Sequence, residues 1–225
     1  PIDQGTITHT TVAGNHHSLA MTGQVTQKGG MLYGKPVEGM LGAKFSAQLR
    51  VDLSDGESTS KDGALQIKGA KAAYLRLTAT TDFWSAEDSA KQLENTSLSA
   101  ESFTKAKKAH VADHQSLYNR CALTLPTNSE QDKLPTDKRI AALTPNNPNL
   151  GLEALAFHYG RYLLIASSRT NGNPANLQGL WNPHIEAPWN ADYHLNINLQ
   201  MNYWPAEVTN LSETHLPVFT WMQTL

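Results

Sequence analysis

Hydrophobic and polar positions change period along this chain. Up to about Trp84 they alternate with the two-residue period of strands. In AKFSAQLRVDL, Phe45, Ala47, Leu49, Val51 and Leu53 fall on one face, and in AYLRLTATT, Ala73, Leu75, Leu77 and Ala79 oppose Tyr74, Arg76, Thr78 and Thr80. Turn signals at Gly14-Asn15, at Gly29-Gly30 and across Ser54–Gly63 cut the region into short strands. Turns at intervals of ~8–12 residues point to an antiparallel β-sandwich.

From Ser85 the pattern becomes helical. Ser99 is the predicted N-cap of a first helix, Glu101 sits in its first turn, and Phe103, Ala106, His110 and Leu117 form one apolar stripe. Thr124 to Asn149 is rich in Pro and Asn and predicts an irregular connector. The next helix is expected to start near Pro148 or Asn149, with Pro148 in the first turn and Gly172 as a C-terminal cap. Leu152, Leu155, Ala156, Tyr159 and Leu163 line one side of it. A second helix is predicted over Leu199–Asn210, bent at Pro205. A third, capped by Ser212, shows Leu216, Phe219, Met222 and Leu225 at every third residue. The class is α+β and multidomain, with strands over 1–84, a helical linker and connector over 85–148, and helices over 149–225.

Composition narrows the partners. The 225 residues are 40% hydrophobic and 17% charged with a formal charge of -2, which argues against a nucleic-acid binder or a reader of polyanions. No apolar run approaches the ~20 residues of a membrane span. A single cysteine, Cys121, excludes an internal disulfide framework. Adjacent His16 and His17 would point to opposite faces of a strand, and His110 with His114 lacks a third ligand, so no metal and no cofactor are expected. The chain starts at Pro1 without a signal segment, and its end reads as a helix still in progress. A piece of a longer protein is therefore expected.

The richest chemistry lies between Asn173 and Leu216, which holds three of the five tryptophans and, from Asn176 onward, seven asparagines. Buried amides need hydrogen-bond partners, so this many beside indole rings is costly unless something polar lies between them. A sugar qualifies, with an apolar ring face for stacking and hydroxyls for amides to grip. A loop-rich junction stitched by Asn and Gln caps is the competing reading. Arg161 and Arg169 are expected to cap carbonyls or pair with acids rather than to clamp substrate.

The segments PANLQGLWN and PWNADYHLNINLQMNYWPAEVTNLSE resemble, over a long and nearly gapless run, the start of the catalytic domain of the family 95 glycoside hydrolases. YGRYLLIASSR, LPTDKRI and the spaced His110, Leu117 and Arg120 are similar to that family more weakly, and the likeness is good from about Ser99 onward. It implies a β-sandwich, a linker helix and the first helices of an (α/α)₆ barrel. It implies an inverting exo-glycosidase acting on terminal α-L-fucosides of oligosaccharides or glycans, exported to the periplasm or medium, with the general acid and its partner Asp beyond Leu225. The isolated piece would then be inactive. An α-L-galactosidase of the same fold and a non-catalytic carbohydrate-binding protein are the alternatives. The matching asparagines, Asn196 and Asn198, are implied to position and activate the attacking water. His194 is read as a hydroxyl ligand, and Trp181 and Trp189 as sugar walls or as packing residues. On extended backbone His194, Asn196 and Asn198 would share one face, so Leu195–Asn198 is expected to be extended or irregular. Of the nearby acids Glu186, Asp192, Glu207 and Glu213, the last two have structural explanations and Asp192 is expected to cap a helix.

Overall fold

A computed structural model describes residues 5–15, 17–27, 31–32, 35–36, 41–83, 100–127, 129–184 and 187–224, with side chains over 17–25, 42–83, 101–127, 130–184, 187–189 and 191–224. The chain forms two units, Pro1–Ala109 with His184–Asn190, and His110–Pro183 with Ala191–Leu225.

In the first unit the alternating segments pair antiparallel, as expected. Strands β1 (Gly5–Asn15), β2 (Ser18–Gln27), β5 (Leu41–Leu53) and β8 (Ala73–Thr81) form one sheet in the order β1-β2-β5-β8. The short β3 (Met31–Leu32) and β4 (Lys35–Pro36) pair with each other, as do β6 (Glu57–Lys61) and β7 (Ala64–Lys68). Register lines up Leu19, Leu49 and Leu77 across three strands, with Met21, Ala47 and Ala79 beside them. One face of the sheet is thus apolar. It is buried at Val51, while Leu75 and Leu77 on β8 are 59% and 61% exposed. On the opposite face Tyr74 meets the ring of Phe103 at 5.8 Å. Gly56 turns β5 into β6 at φ 83°, where a Cβ would come within 2.4 Å of the Lys68 carbonyl oxygen, so only glycine fits.

The helices are α1 (Ala100–Tyr118), α2 (Ser129–Asp132), α3 (Thr136–Ala141), α4 (Leu150–Ser167), α5 (Asn198–Val208) and α6 (Leu216–Met222), with 3₁₀ turns at Pro188–Ala191 and Ser212–Thr214. Ser99 lies outside the described residues. The stripe expected on α1 is buried only at Leu117, since Phe103, Ala106 and His110 are exposed. Helix α4 starts at Leu150, two residues later than Pro148 suggested. Asn149 is its N-cap, the side chain accepting from the Leu152 amide at 2.8 Å, so Pro148 stands outside the first turn. Arg139 donates to that Asn149 oxygen at 3.0 Å and to Asp132 at 2.7 Å, and Gly151 leaves the room this pair occupies against the helix. The C-cap is Ser168 on extended backbone, and Gly172 only closes a turn onto the Arg169 carbonyl.

The buried side of α4 is Arg161, Leu164 and Ile165 rather than the expected row, of which Leu155, Tyr159 and Leu163 are exposed. The helix is apolar on most of its circumference, so periodicity could not choose a face, and the residue that marks the inner one is a cation. Arg161 is 1% exposed and lies against the end of α1. It donates to the carbonyls of Tyr118 at 2.7 Å, Cys121 at 2.8 Å and Leu117 at 3.2 Å, with its guanidinium 5.3 Å from the Tyr118 ring. The expected capping role is therefore observed. Arg169 pairs with Asp113, also as expected.

Around this joint Leu117, Leu164, Ile165, Ala175, Leu199, Tyr203, Ala206, Leu211 and Val218 form the core of the second unit. Helix α5 ends in a Schellman motif: Leu211 N donates to Ala206 O at 2.8 Å and Asn210 N to Glu207 O at 3.2 Å, with Asn210 left-handed at φ 59°. Ser212 is not the N-cap of the last helix. It opens the 3₁₀ turn and donates to Glu207 at 2.6 Å. Helix α6 turns Pro217 and Val218 inward and leaves Leu216, Phe219 and Met222 exposed, so the third-residue pattern marks the outer face; Leu225 lies outside the described residues.

Replacing Arg161 by Met, of similar length, strips the α1 carbonyls of donors in a site closed to water. Unfolding in urea followed by tryptophan fluorescence is expected to show a loss of roughly 2–4 kcal/mol. A loss below about 0.5 kcal/mol would mean those carbonyls find other donors.

Candidate functional site

The polar stretch forms the long connection between α4 and α5. Connections of such length without regular structure are commonly functional. Its first half is an Asx-type turn: Gln178 N donates to Asn176 Oδ1 at 2.8 Å, Gly179 N to Asn176 O at 3.2 Å, and Gly179 takes φ 75°. Further on, Leu177 N donates to the Asp192 carbonyl at 3.4 Å and ties the two halves together.

This turn lies over a groove of about 550 Å³ in the second unit, walled by the Gly160–Ser167 stretch of α4, by Ala175–Trp181, and by Asn202 and Pro205 of α5. Trp181, 74% exposed, stands at it with Tyr162, Gln178 and Asn202. Exposed indole beside side-chain amides is a surface suited to a sugar ring. Trp189 belongs to the other unit, in the 3₁₀ turn, and is also exposed.

His194, Asn196 and Asn198 are not among the residues lining the groove. His194 is half-buried and both asparagines are exposed. The segment 195–197 is a turn, irregular rather than extended, and Asn198 is the first residue of α5. Strand alternation therefore does not put the three side chains on one shared face, since that requires extended backbone. A different neighbour replaces it. On a helix Asn198, Asn202 and Pro205 recur at i, i+4 and i+7 and share a side, which places Asn198 on the groove side of α5. Asn202 carried no assignment from the sequence; a helix starting at Asn198 would have pointed to it.

The connection from Trp189 to Ile197 is held under strain. Trp189, Ala191, His194 and Ile197 all take left-handed backbone, at φ 55°, 51°, 46° and 80°. For a β-branched isoleucine this is an outlier, and such residues cost roughly 1–3 kcal/mol each and gather at functional sites. Leu199 N donates to His194 O at 3.2 Å, Met201 N to Ile197 O at 2.8 Å and Gln200 Nε2 to Leu195 O at 2.8 Å, so the first turn of α5 grips the strained segment.

The acids divide plainly. Glu186 lies outside the described residues. Asp192 does not cap a helix, since Ile197 precedes α5 without a side-chain cap. Glu207 accepts from Ser212 at 2.6 Å and from His215 Nδ1 at 3.1 Å, and the first of these bonds leads in holding its carboxyl below the usual range. Glu213 accepts from Arg120 at 2.6 Å, which likewise lowers it. A carboxyl poised to donate a proton near neutrality needs the opposite shift.

The family model of the "Glycosyl hydrolase family 95 catalytic domain" matches residues 102–225. "Alpha-L-fucosidase 2" of Arabidopsis thaliana is 38% identical over 207 residues, covering 84% of this chain and 24% of that protein. Two proteins named "Probable alpha-fucosidase A" also match. The one from Aspergillus niger is 34% identical, over 85% of this chain and 26% of its own length. The one from Aspergillus oryzae is 43% identical, over 75% and 26%. This chain belongs to glycosyl hydrolase family 95. It spans about a quarter of the length of these relatives.

The Glu213–Arg120 pair makes a pH-dependent prediction. Its folded pKa lies below the ordinary 4.5, so its contribution is present above that value and is lost as pH falls through the folded one. Glu213→Gln should lower the melting temperature slightly at neutral pH, with the gap to wild type closing below pH 4.5 and narrowing in about 1 M salt. A gap that persists at low pH would assign the loss to packing.

Proposed function

We propose that this chain is part of an exo-glycosidase that hydrolyses terminal α-L-fucosides of oligosaccharides or glycans with inversion of configuration. Membership of family 95 carries the reading, and the names of the three relatives support the substrate. A secreted or periplasmic location fits such a substrate. The exposed Leu75–Leu77 face fits a sheet that packs on a second one in a sandwich, and the apolar outer sides of α4, α5 and α6 fit the opening helices of an (α/α)₆ barrel.

Asn196 and Asn198 aim the water. Each amide oxygen accepts a hydrogen bond from it and each NH₂ can hold a sugar hydroxyl, but an amide has negligible basicity. A carboxylate must take the proton, and a carboxylic acid must protonate the leaving oxygen, the two carboxyl groups ~6.5–9.5 Å apart to admit the water. Glu207 is held by hydrogen bonds from Ser212 and His215 and Glu213 by Arg120, so neither serves and the proton donor is another carboxyl group. His194 acts as a hydroxyl ligand, and Trp181 as a wall for the sugar face.

In the full-length protein, Asn198→Ala should lower kcat on an aryl α-L-fucoside roughly 100-fold with a much smaller change in KM, because aiming the water matters chiefly in the transition state. Proton NMR of the wild-type reaction should show β-L-fucose as the first product. A first-formed α-anomer would overturn the mechanism, and a protein that binds fucosides without turnover would be a lectin-like relative.

A further inference from the structure

Tyr203 is buried on α5 and its hydroxyl stands at a crossing of elements. The Ala175 amide donates to it at 2.7 Å. Ser168 Oγ lies 2.7 Å from it and also 2.7 Å from the Thr214 carbonyl. A serine has one hydroxyl proton and the carbonyl can only accept, so that proton goes to Thr214 and the phenol must donate to Ser168. Every proton is therefore assigned: Ala175 N–H to Tyr203, Tyr203 O–H to Ser168, Ser168 O–H to Thr214. Burial pushes the phenol's pKa up and keeps it protonated, the form this order requires. Beside it Asn202 Nδ2 reaches the carbonyls of Ala175 at 3.4 Å and Asn176 at 3.3 Å. Two successive residues of α5 thus hold the root of the loop that carries Trp181, and the same helix starts at Asn198.

We propose that Tyr203 is a positioning residue for the glycosidase reaction. It locks the Trp181 loop to α5, so that the sugar wall and the water-aiming Asn198 keep one spacing. This rests on the function proposed above. The fold itself needs the ring of Tyr203, which packs in the core; the hydroxyl does the positioning, and Tyr203→Phe separates the two.

In the full-length protein, Tyr203→Phe is expected to lower kcat roughly 10- to 100-fold at a temperature well below melting, with KM for an aryl fucoside changed less than threefold, as expected when reacting groups slip by about 1 Å. Ser168→Ala removes the phenol's acceptor but leaves the Ala175 bond intact, and should lose much less kcat even where it melts as early. Hydrogen exchange should show the Ala175 amide protected in wild type and Ser168→Ala and fast in Tyr203→Phe. Equal losses of kcat in the two variants, tracking melting temperature, would reduce Tyr203 to a purely structural role, and an Ala175 amide still protected in Tyr203→Phe would overturn the lock. A wild type inactive on fucosides would sink the functional reading alone, because the exchange experiment judges the lock without it.

Discussion

A cation closed off from water constrains the helical unit more than any apolar contact does. Arg161 cannot be solvated where it sits, and an unmatched buried charge costs several kcal/mol. Its partners are the carbonyls of Leu117 and Tyr118 in the last turn of α1 and of Cys121 just beyond it, at the negative end of that helix's dipole. These three bonds form only if α4 meets the end of α1 at one depth. That depth puts Leu117 into the core beside Leu164 and Ile165. It also lets Arg169 near the end of α4 reach Asp113, and Arg120 reach Glu213.

The same accounting governs the connection from α4 to α5. Its root is buried, and buried main-chain groups must be paired. Having no sheet or helix to pair with at Ala175, the chain uses side chains from α5. The root is fixed by Tyr203 and Asn202, while Trp181 beyond it stays open to solvent. A fixed root with an exposed tip is how a binding loop keeps its geometry without losing access.

The strands were legible because period two leaves little ambiguity in AKFSAQLRVDL and AYLRLTATT, and the register across β2, β5 and β8 follows their apolar sets. Which face of that sheet would be covered was not legible, since that depends on what packs there. The helices were found, but their inner faces and caps were not. Helix α4 offers apolar residues on nearly every side, and the cue to its core face was a charged residue, which ordinary burial statistics count against. Gly172 and Ser212 each had the right chemistry for a cap, yet Ser168 and His215 took the positions, and Pro148, suited to a first turn, stands before the cap Asn149. Propensity ranks residues for a cap position but does not locate it; the hydrogen bonds of neighbouring elements do. The polar stretch stood out by composition and by family likeness. Its left-handed backbone at Trp189, Ala191, His194 and Ile197 was not, because of these residue types only histidine is enriched in that conformation.

Strain in that segment bears on how two neutral amides could serve in hydrolysis. An asparagine that only accepts a hydrogen bond gains nothing unless its oxygen is already aimed when the water arrives, since reorientation during the reaction would cost the stabilisation it provides. The turn before α5 holds the backbone that carries both asparagines. Its carbonyls are held by Leu199, Met201 and Gln200, all on the helix it opens, so Asn196 and Asn198 stand on one hydrogen-bonded piece. The start of a helix also carries partial positive charge. In the proposed reaction the water gains negative character as it gives up its proton, and a site at the N-terminal end of α5 favours that change. An extended segment would offer neither the hydrogen-bonded turn nor the helix dipole.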